Sequence, residues 1–331
     1  MLITVCITNH NYERFVERAI QTALDQDHDE LEVVVVDDGS TDRSVDVLRR
    51  YEDRISVVSK PNGGQASAMN AGFAASHGDV VMFLDADDEL APGALRRVAE
   101  VFDAAPETAK VALRMRMIDA EGAPLGALEP AAGWSLPVGD LSTHVVRRRS
   151  YVWPASSGNA YRRSVLAEVL PIPEDGFRVE ADLYLATLVP LCGAVAAIDE
   201  PLVGYRIHGT NSYAGGDLDG AFFRRKLQRI DAVHEALASW MSERGRGSLA
   251  PVERVSDPAY VSYRLASLLL DPDAHPYPTD SRRRLAARGA VLAARHPGHP
   301  MSARVRRSLW FLLVMVAPRR VDGWLLSVRF G

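Results

Sequence analysis

The sequence predicts an α/β domain with a doubly wound, mostly parallel central sheet, followed by a helical C-terminal region. Two observations predict it. Apolar, β-branched runs alternate with helical periodicity four times in the first 102 residues, the pattern of a parallel sheet with crossover helices. Three of those runs also stop at polar clusters: Asn9 to Asn11, Asp37-Asp38 and Asp85 to Asp88. Strands of a parallel sheet share one carboxyl rim, where ligands bind, so the three clusters are expected to meet.

The elements follow in order. Residues 2–8 form a short apolar strand, broken by Asn9-His10-Asn11-Tyr12. Phe15, Ala19, Ile20, Ala23 and Leu24 then recur at helical spacing. Residues 31–36 are a β-branched run, the mark of a buried strand, stopped by Asp37-Asp38-Gly39-Ser40. Thr41-Asp42 opens a helix through Val45, Leu48 and Tyr51. A third strand spans 55–59 and stops at Lys60-Pro61-Asn62-Gly63-Gly64; a small-residue helix spans 66–76; a fourth strand spans 79–84. A helix over 92–102 has Pro92 in its first turn. Residues 111–118 read as a further strand, 121–141 as loops, and 153–161 and 180–209 as mixed structure. Residues 219–270 are helical by the spacing of Phe222, Phe223, Leu227, Ile230, Val233 and Leu237, and 271–280, with three prolines, read as a linker. The division expected is a catalytic domain over 1–215, with halves 1–105 and 106–215, and a helical region over 216–331.

Composition narrows the class. A chain of 331 residues with 47% hydrophobic and 24% charged residues is a globular protein, not a disordered one. Cys6 and Cys192 sit in apolar runs without metal-type neighbours, so they read as buried small hydrophobes and indicate no disulfide framework or zinc site. The first residues lack the layout of a signal peptide, so a cytoplasmic location is expected. From residue 281 onward there are eleven arginines and one acid, about +10, which leaves about −15 on the rest. A basic tail on an acidic body seeks an anionic partner; the inner face of the cytoplasmic membrane is the first candidate, and no nucleic acid is expected.

Asp85-Ala86-Asp87 is the strongest chemical feature. Two carboxylates at i and i+2, just past a buried strand, can turn toward one cation. Mg²⁺ and Mn²⁺ prefer oxygen ligands and share them with substrate phosphates. The same residues would also suit a solvated loop in which Asp88 caps the next helix. Asp37-Asp38-Gly39-Ser40 could accept hydrogen bonds from a base or ribose, or start the next helix at Ser40 or Thr41. The segment Asn62-Gly63-Gly64-Gln65, running on through Asn70 to Gly72, could bring backbone close to a nucleotide. It has neither the P-loop nor the dinucleotide fingerprint.

Together these segments resemble the family 2 glycosyltransferases, which have the nucleotide-sugar fold called GT-A. The likeness runs from Ile3 to about Phe102 and resumes from Ser156 to Ser212. Val34 to Asp42 is similar to the family's uridine-binding strand end, Asn62 to Gly72 to its glycine and asparagine segment, and Leu84 to Asp88 to its metal motif. Thr8-Asn9-His10-Asn11 stands where the family more often has Pro-x-Tyr-Asn. The resemblance implies that Thr8, Asn9, Asn11, Asp37, Asp38, Asn62, Gly63, Asn70 and Asp85 hold the nucleotide. It implies Asp87 as principal ligand of Mn²⁺ or Mg²⁺, with Asp85 near the ribose or the metal's water.

Ser157 to Arg163 resembles the family's acceptor-side loop, with Gly158 and Asn159 at its turn. The family's Glu-Asp-x-Asp-Leu-Trp-Leu, whose paired Asp is the general base, is matched by Val179-Glu180-Ala181-Asp182-Leu183-Tyr184-Leu185. That alignment puts Glu180 at the base position, with Asp182 as the alternative; two acids favoured by a helix start would look the same. Asp199 to Ser212 resembles the closing strand and loop, which implies contact of Arg206 or His208 with the diphosphate or metal. The expected reaction is transfer, with inversion, from a nucleotide-diphosphate sugar, most simply a UDP-sugar. The hydroxyl acceptor would be a saccharide, a lipid-linked sugar or another hydroxyl compound in cell-surface polysaccharide, lipopolysaccharide or glycolipid assembly. Two rivals share the grammar: a nucleotidyltransferase, which would need a basic glycine-rich loop after the first strand, and a non-catalytic nucleotide-sugar binder.

In the tail, residues 308–317 are mostly apolar between Arg306-Arg307 and Pro318-Arg319-Arg320, with Trp324, Leu325, Leu326 and Phe330 beyond. Such a run is too short to span a bilayer, which takes about 20 residues. It suits a helix lying in a membrane interface, or one docked on a protein core.

Overall fold

The computed structural model describes residues 1–149, 151–209, 218–247, 249, 257–296 and 299–330. The chain falls into two compact units, the first made of Met1–Thr143 and Val152–Ala214, the second of His144–Tyr151 and Gly215–Gly331.

The first unit keeps the predicted alternation: β1 (Ile3–Asn9), α1 (Val16–Leu24), β2 (Leu31–Asp37), α2 (Ser44–Arg49), β3 (Ser56–Ser59), α3 (Gln65–Ala75), β4 (Val80–Asp85), a two-residue β5 (Glu89–Leu90) and α4 (Ala94–Ala104). Then come β6 (Thr108–Ile118), β7 (Pro124–Glu129), α5 (Ser142–Arg148), β8 (Asn159–Arg162), α6 (Arg163–Val169), α7 (Ala181–Leu188) and β9 (Ala194–Arg206). One sheet runs β3-β2-β1-β4-β8-β6-β9-β5, with β7 paired to β6. The β3-β2-β1-β4 half is all parallel. The other half joins a parallel β6–β9 pair to antiparallel neighbours.

Burial on both faces explains the β-branched runs. On one face Ile3, Val5, Ile7, Val33, Val35, Met82 and Leu84 pack with Val16, Ile20, Leu95, Val98 and Phe102 of α1 and α4. Each such side chain contributes about 1.5–3 kcal/mol when fully buried. On the other, α3 lies so close to the sheet that a Cβ on Gly72 would stand 2.0 Å from Cys6 Sγ. Hence that helix is built of small residues, and Cys6 is a buried apolar filler.

Parallel register sets the site. Thr8 lies opposite Asp85, Asn9 opposite Asp37, and Asp37 opposite Ser59. The polar ends of β1, β2 and β4 therefore reach one level.

Four local expectations need correction. Residues 121–141 are not all loop, because β7 pairs with β6 across a bulge; its exposed positions carry no apolar alternation to betray it. The fourth helix begins at Ala94 after a left-handed Gly93, so Pro92 precedes it rather than opening it. Asp88 caps no helix; it is buried and accepts the Arg206 N–H at 2.9 Å. The 271–280 segment is more than a linker, since Asp280 is clamped by Arg264 at 2.6 Å and His275 at 3.0 Å.

The second unit is helical: α8 (Gly220–Glu243), α9 (Pro258–Leu270), α10 (Arg282–Ala294), α11 (Met301–Val316) and α12 (Asp322–Phe330). Asp219 and Asp257 cap α8 and α9 by accepting N–H bonds at 2.7 and 2.8 Å. Its core gathers Val261, Leu265, Leu285, Trp310, Phe311 and Leu325.

Candidate active site

The carboxylates come from the end of β4 and the turn after it. Asp85 is the last residue of β4, and Thr8 Oγ1 donates to its Oδ1 at 3.2 Å. Its N–H donates to Ser157 Oγ at 3.0 Å. Two residues on, Asp87 Oδ2 meets His208 Nε2 at 2.9 Å, both side chains buried. Phe15 stacks on the His208 ring at 4.7 Å, and Tyr12 meets it edge-on at 5.7 Å. Arg206 Nε donates to the Asp87 carbonyl at 2.7 Å, and its Nη1 to the Asp119 and Ala120 carbonyls. Its guanidinium thus fixes the backbone of the carboxylate turn.

A cavity of about 370 Å³ opens above this turn. Of the predicted residues, Thr8, Asn9, Asp38, Asn62, Asp85, Asp87, Glu180 and Asp182 line it. Asp85, Asp87 and Asp88 crowd together, Asp87 and Asp88 buried and Asp85 half-buried. Burial, and then the charges of Asp87 and Asp182, push the Asp85 carboxyl up to about 7. Burial, and then Asp87 and Asp85, raise Asp88 well above the usual carboxylate range. A concentration of carboxylates of this kind is relieved by a divalent cation, and Asp85, Asp87 and His208 supply oxygen and imidazole donors suited to Mn²⁺ or Mg²⁺. Among the described residues no group of three metal-type side chains forms a site by itself. An ion here would complete its shell from water and substrate phosphates, as Mg²⁺ commonly does.

One wall is built from loop-to-loop hydrogen bonds. Asp38 Oδ1 accepts from Lys60 Nζ at 2.7 Å and from the Gly63 N–H at 2.9 Å; its Oδ2 accepts from the Gly64 N–H at 2.7 Å. Burial works to raise this carboxyl, but Lys60 and the two N–H groups outweigh it and hold it below its ordinary value. Asn9 Nδ2 donates to Asp37 Oδ1 at 3.0 Å. Asn11, in a left-handed conformation at φ 59°, accepts the Thr41 N–H at 2.7 Å. Asp37 and Asn11 therefore brace the wall from behind, and Gly63 supplies its N–H to Asp38.

The opposite wall carries the two acids of the base question. Glu180 sits immediately before α7 in a left-handed conformation at φ 64° and is 3% exposed; Asp182 lies in the first turn. Gln65 at the start of α3 anchors the backbone on either side of Glu180: its Oε1 accepts the Ala181 N–H at 2.9 Å, and its N–H donates to the Arg178 carbonyl at 2.8 Å. Gly64 makes this approach feasible, because a Cβ there would stand 2.5 Å from the Arg178 carbonyl oxygen. Below, Lys110 of β6 is fully buried beside the Tyr161 ring. Burial pulls its ammonium down to about 7, against the pull of Asp182.

Other predicted residues stand outside the lining. Asn159 Nδ2 donates to the carbonyls of Pro154, Ala155 and Ser156, and Gly158 lets that loop pack on Leu113 and Met115. The pair thereby holds Ala155 and Ser156 at the cavity. Asn70 bonds both polar groups of Ile172 at 2.8 and 2.9 Å. His208 reaches the site through Asp87. Thr210, Asn211 and Ser212, the expected closing loop, fall outside the described residues. Sequence reasoning missed His10, Tyr12, Gln65, Arg178 and Tyr205, which all line the cavity. His10 had a signal as part of the polar cluster that ends β1, and Gln65 as the first helical residue after two glycines.

The family model of glycosyl transferase family 2 matches residues 4–170. An uncharacterized glycosyltransferase of Nostoc sp. is 38% identical over 219 residues, covering 64% of this chain and 67% of its own. The succinoglycan biosynthesis protein ExoO of Rhizobium meliloti is 27% identical over 320 residues, covering 92% and 86%. Several further relatives match about 100 residues of this chain and less than half of their own length. Among solved structures, S. aureus TarS 1–349 in complex with UDP-GlcNAc superposes with a TM-score of 0.56 at 15% identity, covering 99% of this chain and 92% of its own. A mannosyltransferase from Pyrobaculum calidifontis, in complex with GDP-Man and Mn²⁺, does so at 0.52 and 18%, covering 99% and 85%.

Proposed function

Because the chain belongs to glycosyl transferase family 2 and has the GT-A fold, we propose that it moves a sugar from a nucleotide diphosphate, foremost UDP, to a hydroxyl acceptor with inversion. The family assignment sets aside the nucleotidyltransferase reading. The observation that carries the proposal is the single cavity lined both by Asp38, Asp85 and Asp87 and by Glu180 and Asp182. Donor and acceptor chemistry would then face each other across one space.

The nucleoside would lie along the Asp38 wall, with Thr8, Asn9 and Asn62 offering hydrogen bonds. Asp87, with Asp85 and His208 beside it, would hold Mn²⁺ or Mg²⁺, which supplies positive charge against the departing diphosphate. The acceptor oxygen attacks the anomeric carbon as the bond from that carbon to the phosphate oxygen breaks. Glu180, or Asp182 in its place, takes the acceptor's proton. Glu180 is buried at the head of α7 and lines the cavity, which favours it as base. Two acceptors are consistent with the succinoglycan relative: a growing polysaccharide and a lipid-linked sugar at the cytoplasmic face of the membrane.

Thermal unfolding with UDP, GDP, TDP and CDP, each with and without Mn²⁺, tests the donor half. A metal-dependent rise for one nucleotide, lost in Asp87→Ala, is expected by mass action. No rise with any of them would overturn it. Glu180→Gln should keep that rise and lose transfer by about 10²–10⁴-fold. Unchanged transfer in Glu180→Gln together with loss in Asp182→Asn would move the base to Asp182; retention in both would leave a nucleotide-sugar binder.

A further inference from the structure

The inner side of α11 closes the helical core through Ala303, Trp310, Phe311 and Val314. Trp310 Nε1 donates to the Leu325 carbonyl of α12 at 2.7 Å, which locks the two helices together by their inner faces. The outer side of α11 is apolar as well. Met301, Val305, Leu309, Leu312, Leu313 and Val316 recur at three- and four-residue steps on one face and are 43–74% exposed. On α12, Trp324 and Val328, one turn apart, are 64% and 60% exposed. A face of this size on a water-soluble surface marks an interaction site.

The charges around it identify the occupant. Arg306 on α11 and Arg319 and Arg320 just after it are exposed, as are Arg283, Arg284 and Arg295 on and after α10. The one acid between residues 281 and 330, Asp322, is 8% exposed and held by Arg282 at 2.8 Å. Within this segment, therefore, no exposed acid offsets the arginines. A twofold contact between two copies would set these arginines against their own counterparts. An anionic bilayer surface instead neutralises them. At 16 residues α11 is about 24 Å long, short of the ~30 Å hydrocarbon core. No helix of the described residues is long and apolar enough to cross a membrane. Exposed Trp and aliphatic residues bordered by arginine suit a helix lying in the interface plane.

We propose that the outer faces of α11 and α12 dock this chain onto a bilayer rich in anionic lipid, their apolar side chains entering the headgroup–acyl boundary and the arginines meeting the headgroups. This deepens the proposed function at its membrane side and rests on that reading for its purpose, while the surface itself is read from α11 and α12 alone. The test is flotation of the full chain with phosphatidylcholine vesicles, with and without phosphatidylglycerol, at low and high salt. Binding to the anionic vesicles is expected, falling ~10-fold or more in Leu309→Ser/Leu313→Ser and in Arg306→Gln/Arg319→Gln/Arg320→Gln, the arginine variant also losing its salt dependence. These side chains are exposed, so both variants should keep their helices, which circular dichroism checks. No flotation with anionic vesicles, or flotation unchanged in both variants, overturns the proposal. So does a wild-type dimer that Leu309→Ser/Leu313→Ser turns into a monomer without any lipid binding. Loss of nucleotide binding with normal flotation would strike the proposed activity and leave this surface standing.

Discussion

At the residue scale, Asp38 shows how a site wall draws its stability from one charge. Its carboxylate holds Lys60 and two glycine N–H groups at 2.7–2.9 Å. Asp38→Asn keeps the shape and removes the charge, and should cost about 1.5–3 kcal/mol at neutral pH, the worth of hydrogen bonds to a charged group. The pH dependence has a definite sign. The folded carboxyl sits below its ordinary value, so its stabilisation is full above the unfolded pKa of about 3.9 and fades as pH falls through the folded one. Urea unfolding of wild type and variant should show a constant gap from pH 5 to 8 that narrows below about pH 4. A gap that stays constant down to pH 3 would mean that the charge contributes nothing. That Asp38 mattered was legible, because a β-branched strand stopping at two acids marks a rim position. What it holds was not, because Lys60, Gly63 and Gly64 lie 22 to 26 residues away. Arg206 makes the same point: the resemblance implied contact with the diphosphate or metal, and its buried guanidinium bonds the Asp87, Asp119 and Ala120 carbonyls and pairs with Glu89 at 3.3 Å, partners that lie 86 to 119 residues away.

At the element scale, the loop between β3 and α3 positions the segment that carries Glu180 and Asp182. Gly64 has φ 85° and ψ −178°, a region open essentially to glycine, where another residue costs of order 1–3 kcal/mol. Its Cα also faces the Arg178 backbone so closely that a methyl group must displace it. Gly64→Ala should therefore move the segment leading into Glu180. Steady-state kinetics should show kcat falling by more than about 10-fold, as a small misplacement of a reacting group does, with a smaller change in nucleotide binding. Equal losses in both would place the damage in the donor wall instead. The alternation of strands and helices was readable because buried parallel strands are continuously apolar. The Gly64–Arg178 contact was not, since 114 residues separate the two. β7 escaped notice because an exposed edge strand needs no apolar face.

At the scale of the whole molecule, the described residues form two compact units, each with a core. The residues lining the cavity all belong to the first unit, and the exposed apolar faces of α11 and α12 to the second. The charge is uneven as well, with about +10 from residue 281 onward, inside the second unit, and about −15 before it. That asymmetry was plain in the sequence; the burial of half of the apolar tail in a helical core was not, because one periodicity serves a core and a membrane interface alike. Ligand binding should therefore separate the two units energetically. A nucleotide present with Mn²⁺ at 100 times its dissociation constant stabilises the state that binds it by about 2.7 kcal/mol. In native-state hydrogen exchange, amides of β1, β2 and β4 that exchange only by unfolding of their unit should slow by up to about 100-fold. Amides of α9, α10 and α11 should exchange at unchanged rates, because their core of Val261, Leu265, Leu285 and Phe311 holds no part of the donor cavity. If those helices slow by the same factor, the two units unfold as one, and nucleotide occupancy is felt as far as α9, α10 and α11. If only the strands slow, the catalytic unit can bind and release donor while the helical unit keeps its own stability, as a membrane-held enzyme with a mobile substrate requires.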